Sequence, residues 1–596
     1  MKRGEMDQAF QWSLEDLVKD NEQWEAEFQR LTMRISALEG FQGRLGAEDA
    51  LKEALDNLFE ADYLSSKLYA YAHMRRDEDN TKSEYQALTD RAQAAAVQLS
   101  SAGAYITPEL LALPETYLAR VMERPEFSDY RVFLKDIQRR RPHTRSAEAE
   151  QIAAMTGEMG AAPDTIYSML SDADMRFPMV KDGKGGEVRL THANYIPLMM
   201  NRDREVRKTA FEAMYTTYKQ YENTIPAIYS ASVKSDLFYA RTARHPSAIE
   251  SALFPDEIPL SVYDNLIEAV HAHLPALQKY LSLCAKANGL DDPHMYDIYL
   301  PTPGEFELNL PFEEAYELVI DCLKPLGEAY QRQLRTARKE RWMDVYPNEG
   351  KSSGAYSWGA YGCHPFVLLN YHEDLDGLLT VAHEMGHSMH SYYSNAAQPY
   401  PTADYSLFVA EVASTVNEVL VLMELMERHP EPQARRYLLG NLLDSFRTTV
   451  FRQTMFAEFE RESHRMAEAG QALTGEALNA VYARLNTLYH APAIHQDELI
   501  ALEWMRIPHF YRAFYVYKYA TGFSAAMTLA AGIRREGEAA VERYRKFLSA
   551  GSSVSPIEAL RLAGVDMESP APVNQALDEF SRMVDEFQGY LEGKQG

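Results

Sequence analysis

Trp24, Phe28, Leu31, Ile35 and Leu38 recur at alternating steps of four and three residues, and Gly40 follows them. Apolar residues at that spacing share one face of an α-helix, and a glycine just beyond supplies its C-terminal stop. Leu51, Leu55 and Leu58 repeat the pattern. The first hundred residues therefore read as long antiparallel helices packed along a seam, and most of the remaining chain has the same period. The fold is expected to be mainly α. Two segments break the period. Residues 177–191 (FPMVKDGKGGEVRLT) set Asp182, Gly183, Gly185 and Gly186 between short β-prone runs, which predicts a hairpin. Residues 354–371 (GAYSWGAYGCHPFVLLNY) end in an apolar run, and Pro365 at its start predicts an edge strand. Behind the hairpin, residues 201–215 open a further amphipathic helical series. The main boundary is placed near residue 200, with a helical N-terminal region over 1–200 and a larger region over 201–596.

Composition narrows the partners. The 596 residues carry 60 Lys plus Arg against 87 Asp plus Glu, a net charge of −27. Such a surface repels polyanions, so no nucleic acid and no anionic membrane is expected, whereas neutral or basic peptides remain open. Cys284, Cys322 and Cys363 contain no C-x-x-C pair and support neither a disulfide framework nor a thiolate zinc site. Lys2 and Arg3 lead into no apolar stretch, and nowhere do about 18 uncharged apolar residues run together. A cytoplasmic protein is expected.

Directly after the expected strand, residues 378–390 (LLTVAHEMGHSMH) contain His383-Glu384-Met385-Gly386-His387. Helical residues four apart differ by about 40° and one turn, so both imidazoles converge on one ion while Glu384 stands beside them. Zinc suits the pair because it accepts neutral imidazole nitrogen at about 2.0 to 2.1 Å and keeps one position open. Apolar Leu378, Leu379, Val381 and Ala382 precede the motif, and a buried helix has no other reason to carry three polar residues together.

The third ligand must come from elsewhere. A metzincin needs Gly at 390 and His at 393, where this chain has His390 and Tyr393. Thermolysin-like plans need a Glu about nineteen or twenty residues past the second His, where this chain reads Ser406 and Leu407. The nearest carboxylate on a helical segment is Glu411, in 408–418 (FVAEVASTVNE), and Glu418 lies nearly two turns further along the same face. Glu411 is assigned as the third ligand of one zinc per chain, and Glu418 as acceptor of a ligating histidine's second N–H. His390 is a rival that shares the face of His383. It lies two turns away, about 10 Å by helical rise, too far for one ion to bind both, and is given a supporting role.

Together the segments 383–387 and 411–418 resemble the thimet oligopeptidase family of zinc metallopeptidases, and the wording AEVASTVNE is similar to that of its bacterial oligoendopeptidase F branch. Weaker similarities run from about residue 115 to 585, including YARTARHPSAIESALF around Arg241 and LAGVDM at 562–567. The resemblance implies a mainly α, two-lobed helical shell with a deep channel, zinc at its floor and a small β-sheet beside the zinc-binding helix. It also implies hydrolysis of short oligopeptides at internal bonds.

Glu384, next to a ligand, is placed to take a proton from zinc-bound water and deliver it to the leaving amine. The tetrahedral intermediate needs a further donor for its oxyanion. Residues 508–522 (PHFYRAFYVYKYATG) carry His509, Tyr511, Tyr515, Tyr517 and Tyr519. Read by themselves, these tyrosines are better taken as core residues of an amphipathic helix with satisfied hydroxyls. The family has a His followed by a Tyr-rich helix facing the reacting carbonyl, which points to His509, Tyr511 and Tyr517, with Tyr515 next. The Gly-rich loop usual between them is missing from 510–514. An extended substrate is expected to add to the strand edge near 364–370. A carboxypeptidase or dipeptidyl carboxypeptidase on the same shell is the enzymatic alternative, and a catalytically silent peptide-binding protein the other. Glu384 speaks against the latter, because binding alone needs no base.

Overall fold

The computed structural model describes residues 2–302, 306 and 308–593. The expected seam is there. Helix Asn21–Leu38 buries Trp24, Leu31, Ile35 and Leu38, and a 3-10 turn over Glu39–Phe41 ends it. It packs against helices Glu48–Glu78 and Ser83–Gly103. Trp24 donates its indole N–H to Leu68 O at 3.2 Å and stacks on Phe28 with ring centres 5.0 Å apart. Full burial of a Leu or Ile side chain contributes about 1.5 to 3 kcal/mol, so this stripe outweighs the helix's modest intrinsic stability. The chain is mainly α, with only two small sheets among the described residues.

In the first sheet, β1 (Met179–Lys181) and β2 (Glu187–Arg189) form an antiparallel hairpin with Val180 opposite Val188. Its turn is closed by Asp182 Oδ1, which accepts the N–H groups of Lys184 at 2.7 Å and Gly186 at 2.9 Å, while Gly183 adopts φ +75°. The second sheet has the order β3–β5–β4, with β3 at Met343–Asp344, β4 at Tyr356–Trp358 and β5 at Phe366–Leu368. β5 pairs parallel with β3 and antiparallel with β4. The strand after Pro365 is therefore central and not an edge. Pro365 precedes the first paired residue, so its missing N–H takes nothing from the ladder. The free edges belong to β3 and β4.

Contacts divide the chain into two compact units. One comprises Met1–Pro142, Glu307–Glu424 and Leu529–Val565; the other comprises His143–Phe306, Leu425–Thr528 and Asp566–Gly596. In the first, Phe366 and Leu368 of β5 join the same apolar core as Trp24, Leu31 and Leu55, so the N-terminal helices support the sheet directly. The second is knit by buried charge: Arg207 binds Asp297 at 2.6 Å with both side chains 1 % exposed, and Glu503 accepts from Arg452, Arg506 and Tyr482. Arg suits such sites because its fork satisfies several acceptors at once. No described helix is long and apolar enough to cross a membrane.

Candidate metal centre

Helix Leu375–Ala397 starts at Asp374, whose carboxylate accepts the Gly377 N–H at 2.8 Å, and it buries Leu378, Leu379, Val381, Ala382, Met385 and Met389. β4 packs against it, with Ser357 Oγ 2.8 Å from Ser388 Oγ. The expected small sheet thus stands beside the His383 helix. Helix Leu407–Arg428 crosses the same helix at Gly386. A Cβ at Gly386 would fall 2.5 Å from Ser414 Cα and 2.6 Å from Ala413 O, so only glycine lets the two backbones touch there. Asn417 fixes the register: its amide donates to Ala382 O at 3.0 Å and its carbonyl accepts from Tyr330 OH at 3.0 Å.

This crossing delivers Glu411. Its Oε2 lies 3.4 Å from His383 Nε2 and 3.3 Å from His387 Nε2, and the two nitrogens are 3.1 Å apart. Tetrahedral coordination with bonds of about 2.0 to 2.1 Å puts donor atoms about 3.3 to 3.4 Å from one another, which the triangle matches. Glu418 Oε1 accepts from His383 Nδ1 at 2.5 Å, so the proton sits on Nδ1 and the Nε2 lone pair faces the triangle. Ser414 Oγ donates to Glu411 Oε2 at 3.1 Å and aims the carboxylate.

The electrostatics ask for a cation. Burial works against charge on His383, yet its bonds to Glu411 and Glu418 outweigh that and push the ring up to about 10, so the spot favours a positive charge that a cation on Nε2 would supply in place of a proton. Burial likewise raises Glu411, but the two histidines win and hold its carboxyl well below the usual range. Glu384, only 6 % exposed, is pushed up by burial against the opposing pull of His383 and His387. Its Oε2 is buried and makes no hydrogen bond. An unbonded carboxylate oxygen so placed is costly unless something else engages it. Two imidazoles, a carboxylate and this oxygen fit a divalent metal with a water beside it.

His390 is outside the triangle. It is 1 % exposed, stacked on Tyr405 at 3.7 Å and packed on Phe547, and burial drops its pKa to about 3, leaving a neutral ring. The segment 508–522 lies in the other unit. A 3-10 turn over Pro508–Tyr511 is followed by helix Tyr517–Glu536, and Phe514 at φ +55° makes the break. The N–H of that left-handed residue is held by Glu460 Oε1 at 2.9 Å. His509 is joined by Tyr515, parallel at 6.3 Å, and by Tyr519 at 6.2 Å, and these two tyrosines are 5.4 Å apart. Tyr511 instead stacks on Tyr167 at 4.4 Å, and Tyr517 is fully buried against Tyr263 at 5.1 Å. The sequence held this signal, since Val516, Tyr517 and Ala520 form an apolar face and Tyr515 and Tyr519 share another. Gly386, Ser414 and Asn417 were missed. A glycine inside an amphipathic helix was the cue for the first.

Comparison with known proteins gives the family. Peptidase family M3 matches residues 197–579, and the Oligopeptidase F region matches residues 109–177. The chain belongs to peptidase family M3. It is 44 % identical over 591 residues to Oligopeptidase PepF of Bacillus subtilis, covering 99 % of this chain and 88 % of that one. The M3 chain is also 33 % identical to oligoendopeptidase-F from Enterococcus faecium, whose crystal structure superposes with a TM-score of 0.75 over 96 % of this chain and 99 % of that one. A solved chain from Chlamydophila abortus gives a TM-score of 0.93 at 33 % identity, covering 99 % of each. As an M3 member the chain is a metallo-oligopeptidase. Of the residues singled out in its sequence, the M3 fold brings His383, Glu384, His387, Glu411 and Glu418 together, and sets His509, Tyr515 and Tyr519 in a cluster of their own.

Proposed function

We propose that this chain is a zinc-dependent endopeptidase that hydrolyses internal bonds of short oligopeptides. The reading is carried by the His383–His387–Glu411 triangle with the buried, unbonded Glu384 oxygen beside it. His383, His387 and Glu411 are the residues that would hold one zinc. When bound, zinc polarises the scissile carbonyl and makes a neighbouring water far more acidic than bulk water.

Glu384 Oε2 accepts a proton from the attacking water and passes it to the leaving nitrogen. Burial raises its basicity, which favours taking the proton. Glu418 keeps His383 in the ligating tautomer. The substrate main chain adds to β4, whose outer edge borders a cleft of about 590 Å³ lined by Ser357, Trp358, Ser391, Tyr405 and Ala410. Ala410 precedes Glu411, so a strand laid there reaches the metal ligands. His509, Tyr515 and Tyr519 are the neutral donors assigned to the oxyanion, on the family pattern and on their clustering. The division near residue 200 is kept in this reading, supported by the change from one family region to the next between 177 and 197.

Elemental analysis of the purified chain, coupled to mass spectrometry of a digested peptide mixture, tests the function. One zinc per chain is expected, with internal cuts in peptides of roughly five to twenty residues and no digestion of stably folded proteins. C-terminal amidation should leave the cuts unchanged. If amidation abolished cleavage and only C-terminal residues were released, the carboxypeptidase alternative would replace this reading. For the donors, Tyr515→Phe or Tyr519→Phe is expected to lower kcat by about 10²- to 10³-fold with little change in KM. Tyr517→Phe should leave turnover near normal; the reverse pattern would return the role to Tyr517.

A further inference from the structure

Among the described residues, two groups bring three ligand atoms from His, Cys, Asp or Glu within 4.8 Å of one another: the triangle above, and Asp292 with His294 and His495. The second group lies wholly in the other unit. His294 and His495 form an isolated parallel β-bridge, and the His495 N–H donates to Pro293 O at 2.7 Å. Backbone hydrogen bonding therefore sets the two imidazoles side by side, with ring centres 4.4 Å apart.

The arrangement repeats the chemistry of the first site. Asp497 Oδ1 lies 2.8 Å from His294 Nδ1, while its Oδ2 accepts the Met295 N–H at 2.9 Å. A carboxylate anchored in this way claims the Nδ1 proton, as Glu418 does for His383, and leaves Nε2 as the lone pair. That Nε2 is 3.3 Å from Asp292 Oδ2. Tyr296 stacks on the His294 ring at 4.8 Å and holds its plane. The His495 ring is exposed, and among the described residues its nitrogens have no hydrogen-bond partner.

We propose that Asp292, His294 and His495 form a second, solvent-facing site for a borderline divalent cation such as zinc, with water completing its coordination. Two imidazole nitrogens and one carboxylate oxygen are the donor set such ions prefer, whereas magnesium and calcium favour oxygen alone. Exposure makes this ion exchangeable. It staples two segments that stand about two hundred residues apart in sequence, so its contribution is to hold the second unit together and not to hydrolyse peptides. The competing arrangement is His294 bridging Asp292 and Asp497 by hydrogen bonds with no metal.

The test is equilibrium dialysis of the zinc-loaded chain against about 50 µM free zinc, read by elemental analysis, with thermal unfolding in parallel. Two ions per chain are expected in the parent and one in His495→Ala, whose ring is exposed. Asp497→Asn should weaken the second ion by about 10- to 100-fold. Added zinc should raise the midpoint of unfolding in the parent and not in His495→Ala. Glu411→Ala should still bind one ion, which keeps this result independent of the first site. A single ion in the parent, or two in the His294→Ala/His495→Ala double variant, overturns the proposal.

Discussion

Glu384→Gln is expected to keep its zinc and to lose at least about three orders of magnitude in kcat, with KM nearly unchanged. The amide has the shape of the carboxylate, so the packing around a side chain only 6 % exposed survives. What is lost is the proton acceptor. Glu384 is not one of the three converging ligand atoms, so its neutralisation does not open the triangle. Elemental analysis together with steady-state kinetics on a fluorogenic peptide reads both halves of the expectation. Near-normal turnover in a metal-replete preparation would take Glu384 out of the chemistry.

Glu411→Ala is expected to empty the His383–His387 site and abolish activity, with zinc affinity there falling by well over the 10- to 100-fold typical of a partner outside the ligand set. Its carboxylate supplies one of three donor atoms and the negative charge that draws a cation to two histidines. His383→Ala and His387→Ala should behave alike. His390→Ala, by contrast, should retain zinc and lose stability, because the ring is stacked on Tyr405 and packed on Phe547 away from the triangle. Stoichiometric zinc in a Glu411→Ala/His495→Ala double variant, with loss in His390→Ala, would reverse the ligand assignment.

These expectations rest on features of unequal visibility. The stripe from Trp24 to Leu38 buries as its spacing requires, because a helix presents every third or fourth residue to one side whatever it packs against. The same local rule brings His383 and His387 together, and an Asp at 374 marks where their helix begins. β5 went the other way. Proline beside a short apolar run looked like an edge, but neither the two partners that enclose β5 nor the position of Pro365 just outside the ladder is written in the run itself. With β5 interior, the strand edge that can receive a peptide is that of β4, beside the His383 helix.

The tyrosines show the same limit at closer range. One histidine and four tyrosines in eleven residues announce a special segment but do not say which of them point together. A left-handed turn at Phe514, held by Glu460 from a distant helix, decides that Tyr515 and Tyr519 accompany His509 while Tyr517 turns inward.

By itself, then, the sequence determined the helical class, the paired histidines with their base, and a short choice of third ligands, since each depends on periodicity within a single element. The tertiary structure alone decided the rest. Glu411 reaches the histidines because Gly386 has no side chain and Asn417 clamps the crossing, and the two compact units each draw on three separate stretches of chain. Contacts between residues far apart in sequence are fixed by packing over the whole unit, where one missing Cβ or one buried amide settles a register that local spacing leaves open.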